Sequence, residues 1–202
     1  MKHSTLLLMA SFAMAAQPRA LIIGDSISIG YMEPVRALAK EMYDVHHNPG
    51  NAAHTGRGVE MVEKWVGSGP WSLIHFNFGL HDLRRMEDGK HQIAIDAYEA
   101  NLRKIVAVLK KTGARLVWAS TTPVPKGNLS PPRSDADVVA YNAVARKIMD
   151  QNGIDILDLY SLALPRLGEI QRAVNVHFTE EGSAELARHV VDFWRLVSKR
   201  PR

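Results

Sequence analysis

The sequence predicts an α/β protein, a three-layer α/β/α sandwich on a central, mainly parallel sheet of five strands. Three observations carry this prediction. Short apolar runs rich in β-branched residues alternate with amphipathic stretches of helical period from Ala20 onward. Each run ends abruptly at a glycine or a cluster of small polar residues. The intervening segments are long enough to be crossover helices, which place neighbouring strands parallel and cover both faces of the sheet. With 202 residues, 46% hydrophobic and 23% charged, the chain can bury a sizeable core.

The first strand, Leu21-Ile22-Ile23, stops at Gly24, and Asp25-Ser26 opens a helix that carries Pro34 near its start and runs through Met42. A short extended segment at 44–47 leads into the loop Pro49-Gly50-Asn51. Helical spacing at 58–66 ends at Gly67, Gly69 and Pro70. A strand at 73–78 stops at Gly79, and a long amphipathic helix at 93–111 is closed by Gly113. The strand at 116–120 runs into Thr121-Thr122-Pro123-Val124-Pro125 and a loop at 126–133 rich in Pro, Ser and Asn. A helix at 135–151 stops at Asn152-Gly153, a short last strand spans 154–157, and a closing helix spans 180–197. No repeat or linker interrupts residues 17–202, which are expected to form one domain.

The N-terminus differs in kind. Lys2 and His3 precede an uncharged apolar run at 6–16, and Ala13-Met14-Ala15 supplies a small-x-small cleavage pattern. Residues 1–16 are therefore expected to be a secretory signal peptide and the protein to be exported, periplasmic or extracellular. The run is shorter than the ~20 apolar residues of a membrane span, so no stable membrane anchor is expected. Removing it takes the formal charge only from +4 to +3. So mild a charge, with no basic blocks interleaved with aromatics, argues against nucleic acid as a partner. The chain has no cysteine, hence no disulfide and no thiolate metal site. His46-His47 and His54 lack metal-ligand spacing, and neither a metal nor another cofactor is expected. Trp65, Trp71 and Trp194 read as packing residues, Asn128-Leu129-Ser130 matches the glycosylation acceptor pattern, and nothing specifies an oligomeric state.

In a parallel sheet, chemistry collects at the carboxyl ends of the strands. Those ends carry Gly24-Asp25-Ser26, residues 51–58, Gly79-Leu80-His81-Asp82 and residues 121–125, with His177 in Asn175-Val176-His177-Phe178-Thr179 before the last helix. A serine at the mouth of a cleft near a helix N-terminus, a late histidine and glycine-bordered loops are the parts acyl transfer needs. The histidine takes the serine proton, and N–H donors hold the oxyanion. Arg84-Arg85, just after the third strand, could bind an acidic substrate group or simply be solvated.

These blocks, in this order, resemble the SGNH hydrolases, or GDSL esterases, over essentially the whole mature chain. The resemblance implies the flavodoxin-like SGNH hydrolase fold, Ser26 as nucleophile and His177 as its base. It also implies an oxyanion hole from the N–H groups of Ser26 and of the second block, Asn51-Ala52-Ala53-His54-Thr55, plus a side chain of Gly79-Leu80-His81-Asp82. Three positions depart from the family pattern. Ala53 stands where a glycine usually donates its N–H, with Gly50 as the fallback. His81 replaces the usual asparagine, and an imidazole can still donate a hydrogen bond. Val174 replaces the aspartate of the usual Asp-x-x-His and cannot orient His177. A backbone carbonyl is then the expected orienting group, giving a Ser–His dyad, with Asn175, Asp25 and Asp82 as the other candidates.

The expected function is that of an exported serine esterase acting on small-molecule or glycan esters, with short acyl groups on carbohydrates as the first substrate class. A lipase or lysophospholipase type of acyl hydrolase and a non-catalytic glycan-binding protein are the alternatives. A nucleotide-binding flavodoxin-like domain is disfavoured because no Gly-rich phosphate loop follows the first strand.

Overall fold

A computed structural model of the chain describes residues 16–201, so the expected signal peptide lies, save for Ala16, outside the described residues. Five strands, β1 (Arg19–Ile23), β2 (Asp44–His47), β3 (Leu73–Phe76), β4 (Arg115–Ala119) and β5 (Asp155–Leu157), form one sheet in the order β2-β1-β3-β4-β5. Every pairing is parallel, with Ile23 opposite Phe76 and Phe76 opposite Trp118. The chain moves outward from β1 to β2, returns across β1 to β3, and then continues outward through β4 and β5. The winding therefore reverses between β1 and β3, and a crevice opens beyond their carboxyl ends.

Side-chain alternation along the strands divides the core in two. Leu21, Ile23, Ile74, Phe76 and Trp118 pack with helices α2 (Thr55–Val66), α3 (Ile95–Lys111) and α4 (Asp135–Asn152). Ala20, Ile22, Leu73, Val117 and Ala119 meet Tyr31 and Val35 of α1 (Ser26–Ala39) and Leu186, Val190 and Trp194 of the C-terminal helix Glu180–Ser198. Burial on both faces is why these strands read as continuous apolar runs. The exception is His75, fully buried in β3. Trp194 Nε1–H donates to its Nδ1 at 3.3 Å, which leaves Nε2–H to meet the Tyr31 hydroxyl at 3.1 Å. Burial drives its pKa down to about 3, keeping the ring neutral.

Some boundaries differ from the sequence expectation, each for a local reason. Helix α2 begins at Thr55, three residues early, because His54 Nδ1 accepts the Arg57 N–H and Asp82 Oδ1 accepts the Thr55 N–H. Strand β3 ends at Phe76, two residues early; the Asn77 side chain turns to the Ala119 carbonyl at 2.8 Å. Helix α1 ends at Ala39, whose carbonyl takes the N–H groups of both Met42 and Tyr43. Between β5 and the closing helix lie two unexpected short helices, α5 (Leu159–Ala163) and α6 (Leu167–Ile170), joined by a single 3-10 turn; the closing helix is α7. No helix among the described residues is long and apolar enough to cross a membrane.

Candidate active site

Ser26 is the first residue of α1, immediately past the end of β1. Asp25 caps this helix, its Oδ1 accepting the Ile27 N–H at 2.9 Å, so the serine is fixed at a helix N-terminus. Behind it, the Ser28 hydroxyl lies 2.7 Å from the Asp25 carbonyl and 2.7 Å from His47 Nε2. Gly24 makes this packing possible, since a Cβ there would sit 2.6 Å from Ser28 Oγ.

His177 comes from the opposite direction, on the loop between α6 and α7. That loop is strapped down by a Gln171–Phe178 bridge, the Arg172 N–H on the His177 carbonyl, and the Gln171 side-chain amide on the carbonyls of Pro123 and Val176. His177 Nε2 lies 2.9 Å from Ser26 Oγ. On the other side of the ring, Nδ1 lies 2.8 Å from Asn175 Oδ1, and the same Oδ1 accepts the His177 backbone N–H at 2.9 Å. A backbone N–H can only donate, so the Asn175 atom is its oxygen and His177 carries a proton on Nδ1. In the neutral ring Nε2 is then the acceptor, and the Ser26 hydroxyl donates to it. The tautomer suits a general base.

This corrects the expected dyad: a side-chain amide, and no backbone carbonyl, holds Nδ1. The reason lies in the turn from Arg172 to Asn175, where Val174 adopts φ 49° and is exposed, while Asn175 folds back onto the ring. The other two candidates are engaged elsewhere. Asp25 is the α1 cap. Asp82 is buried and accepts both the N–H (2.9 Å) and the hydroxyl (2.5 Å) of Thr55, tying the loop after β3 to the start of α2.

Among the described residues the Asp82 Oδ2 has no hydrogen-bond partner, and burial raises the Asp82 pKa to about 7 against the opposing Thr55 bonds. Its folded-state pKa exceeds the ordinary value near 3.8, so the folded protein holds more protons in this range. Its contribution to stability is complete below pH ~3.8 and is lost as pH rises to about 7. Asp82→Asn keeps an oxygen for Thr55 and removes the charge. It is expected to stabilise the protein by on the order of 1–3 kcal/mol at pH 8 and by almost nothing at pH 4. Urea melts of both proteins across that range check this; equal differences at the two pH values would contradict it.

Of the expected oxyanion residues, Ser26 and His81 line one pocket, while Ala53 lies in the loop after β2, where the Ala52 N–H donates to the Gly24 carbonyl at 2.9 Å. Ala53 has φ 55°, the conformation for which a glycine would be the easier choice, so the backbone shape survives the substitution. Its N–H is engaged by Asn51 Oδ1 at 2.7 Å and must exchange that partner to reach a substrate. His81 lines a pocket together with Ser26 and His177, and it is not paired with Asp82. Burial lowers its pKa; Asp25 opposes this, while Arg133, Arg84 and His54 add to it. The ring is thereby held neutral, with one N–H to give.

Ser26 and His177 stand between two pockets. The larger, about 520 Å³, is floored by Ile27, Gly30 and Pro34 and edged by Arg172 and Glu180. The smaller, about 260 Å³, contains His81, Arg84 and Arg133. The adjacent arginines part company: Arg85 turns away to Asp137 at 3.0 Å, and Arg84 enters the pocket. Sequence reading missed Arg133, which lies in a loop with no periodic signal, and missed the role of Gln171.

A family model described as GDSL-like lipase/acylhydrolase matches residues 22–185, most of the chain and all of the site. The chain belongs to the GDSL-like lipase/acylhydrolase family. It is thus an ester hydrolase by family, and its SGNH-type fold is shared with solved structures. Among these are an acetyl xylan esterase, AlAXEase (18% identity, 86% of this chain and 98% of that one, TM-score 0.73), and a lipase/acylhydrolase from Enterococcus faecalis (19%, 87% and 94%, 0.72). The acetylxylan esterase Axe2 from Geobacillus stearothermophilus is similar at 19% identity, covering 87% of this chain and 93% of its own, with TM-score 0.72. No curated protein sequence matches the chain. Identities this low carry the fold alone.

Proposed function

We propose that this GDSL-like hydrolase is an exported serine esterase that removes short acyl groups, acetyl first, from carbohydrates. The observation that carries the mechanism is the relay from Ser26 Oγ to His177 Nε2 and from Nδ1 to Asn175 Oδ1. In it Ser26 attacks the ester carbonyl while its proton passes to His177. The tetrahedral oxyanion is held by the Ser26 N–H, the His81 N–H and, once Asn51 lets go, the Ala53 N–H. Collapse expels the alcohol, which takes its proton from His177. Water then repeats the sequence and frees the acid. Asn175 fixes the tautomer and aims the ring, without the charge that an aspartate would bring to the imidazolium.

The carbohydrate assignment is supported by the acetyl xylan esterases among the structural relatives, and export by the signal-peptide pattern at 1–16. A panel of acetylated sugars beside esters of increasing acyl length tests the substrate class. Acetyl esters are expected to give the highest kcat/KM, falling at least tenfold by the octanoyl ester. Turnover confined to long acyl chains would instead make the protein a lipase.

A further inference from the structure

Two guanidinium groups, of Arg84 and Arg133, share the smaller pocket beside the nucleophile, and among the described residues neither has an ion-pair partner. Arg133 spends two of its donors on carbonyls, Nε on Leu80 at 2.8 Å and Nη1 on Pro131 at 3.3 Å. Arg84 makes no side-chain hydrogen bond among the described residues, and its Nε is buried without a partner. Most other arginines of the protein hold a carboxylate: Arg85 with Asp137, Arg115 with Asp155, Arg146 with Asp158, Arg166 with Glu185. The Asp25 carboxylate acts on Arg133 through space, while its Oδ1 caps α1. Arg84 and Arg133 repel each other, and each opposes protonation of His81. A half-buried pair of guanidinium groups with unspent donors is equipped to receive an anion.

We propose that this pocket binds a carboxylate, and that the natural substrate is an ester bearing a carboxylate close to the scissile bond. The inference rests on the esterase reading of Ser26 and narrows its substrate class. Planar guanidinium groups suit a carboxylate, which can accept two parallel N–H bonds from one fork. About 260 Å³ accommodates a group of the size of one acidic sugar or one short diacid. The carboxylate can belong to the alcohol, as in an acetylated uronic acid, or to the acyl group, as in a succinyl ester.

Calorimetric titration of the intact protein separates these sources without requiring turnover. Galacturonate is compared with galactose, and succinate with butyrate. At least one acid is expected to bind about tenfold or more tightly than its neutral counterpart, as loss of a charged hydrogen bond implies. That preference should weaken as salt is raised. Arg84→Gln should lower the ratio by about threefold or more, leaving what Arg133 supplies, and Arg84→Glu should bring it to one or below. Since the Arg84 side chain makes no hydrogen bond or ion pair among the described residues, neither change removes one. Preference for galacturonate assigns the carboxylate to the alcohol, and preference for succinate to the acyl group. Equal binding of acid and neutral members in both pairs, or a preference that Arg84→Gln and Arg84→Glu leave unchanged, overturns the inference. Hydrolysis of a neutral acetyl ester by the same preparation reports the esterase reading separately. Such turnover with no acid preference leaves that reading standing and removes this one.

Discussion

Replacing His81 with alanine is expected to lower kcat on an acetyl ester by about 10²–10³-fold, the usual loss when one oxyanion donor is removed. His81 lies on the loop after β3 and, with Leu80 and Arg84 of that loop, lines the pocket that holds Ser26 and His177. Burial, Arg133 and Arg84 keep it neutral, so it carries one N–H that can meet the oxyanion. The loop that presents it is held independently. Gly79 takes φ 148° against Thr121, and Asp82 anchors to Thr55. Removing the imidazole should therefore leave the loop in place and lower kcat with little change in KM. His81→Asn, which also offers an N–H, should recover activity to within about tenfold of wild type. A thermal melt confirms folding of each variant. Full activity in His81→Ala would assign the oxyanion to backbone donors alone.

Asn175→Asp is expected to raise kcat by about tenfold. A carboxylate in the same place would accept the same two donors, the His177 N–H and Nδ1–H. Charge-assisted hydrogen bonds are roughly twice as strong as neutral ones, and the gain appears only when the ring becomes cationic. The difference is on the order of 1–2 kcal/mol of barrier. The correct tautomer is already present with asparagine, so the gain is far below what correcting a wrong tautomer would bring. Val174→Asp, which places the acid at the usual family position, should give no such increase, since Nδ1 is already bonded. Steady-state kinetics of the two variants beside wild type decide between the positions. A rise in Val174→Asp with none in Asn175→Asp would contradict the assignment.

The sheet was legible because its strands are buried on both faces, so 21–23 and 116–119 appear as uninterrupted apolar runs and 73–76 as one broken only by His75. The short helices α5 and α6 were not, because five and four residues are too few to establish a period. Ser26 and His177 could be found from chain order and strand-end placement. The group at Nδ1 could not, since it depends on a turn in which Val174 takes a left-handed conformation that valine rarely adopts. That turn moves the orienting function one residue along. The early start of α2 depended on Asp82, a partner 27 residues away. Likewise, Arg84 and Arg85 are alike as sequence, and only the position of Asp137 on α4 separates the paired cation from the one in the pocket.

The most direct test of the Ser26–His177 relay is covalent labelling of the folded protein with a fluorophosphonate, followed by peptide mapping of the adduct. The account predicts one adduct, on Ser26, formed in wild type and absent in Ser26→Ala. A folded protein that hydrolyses acetyl esters yet takes no label at Ser26, or takes it at another serine, would contradict it.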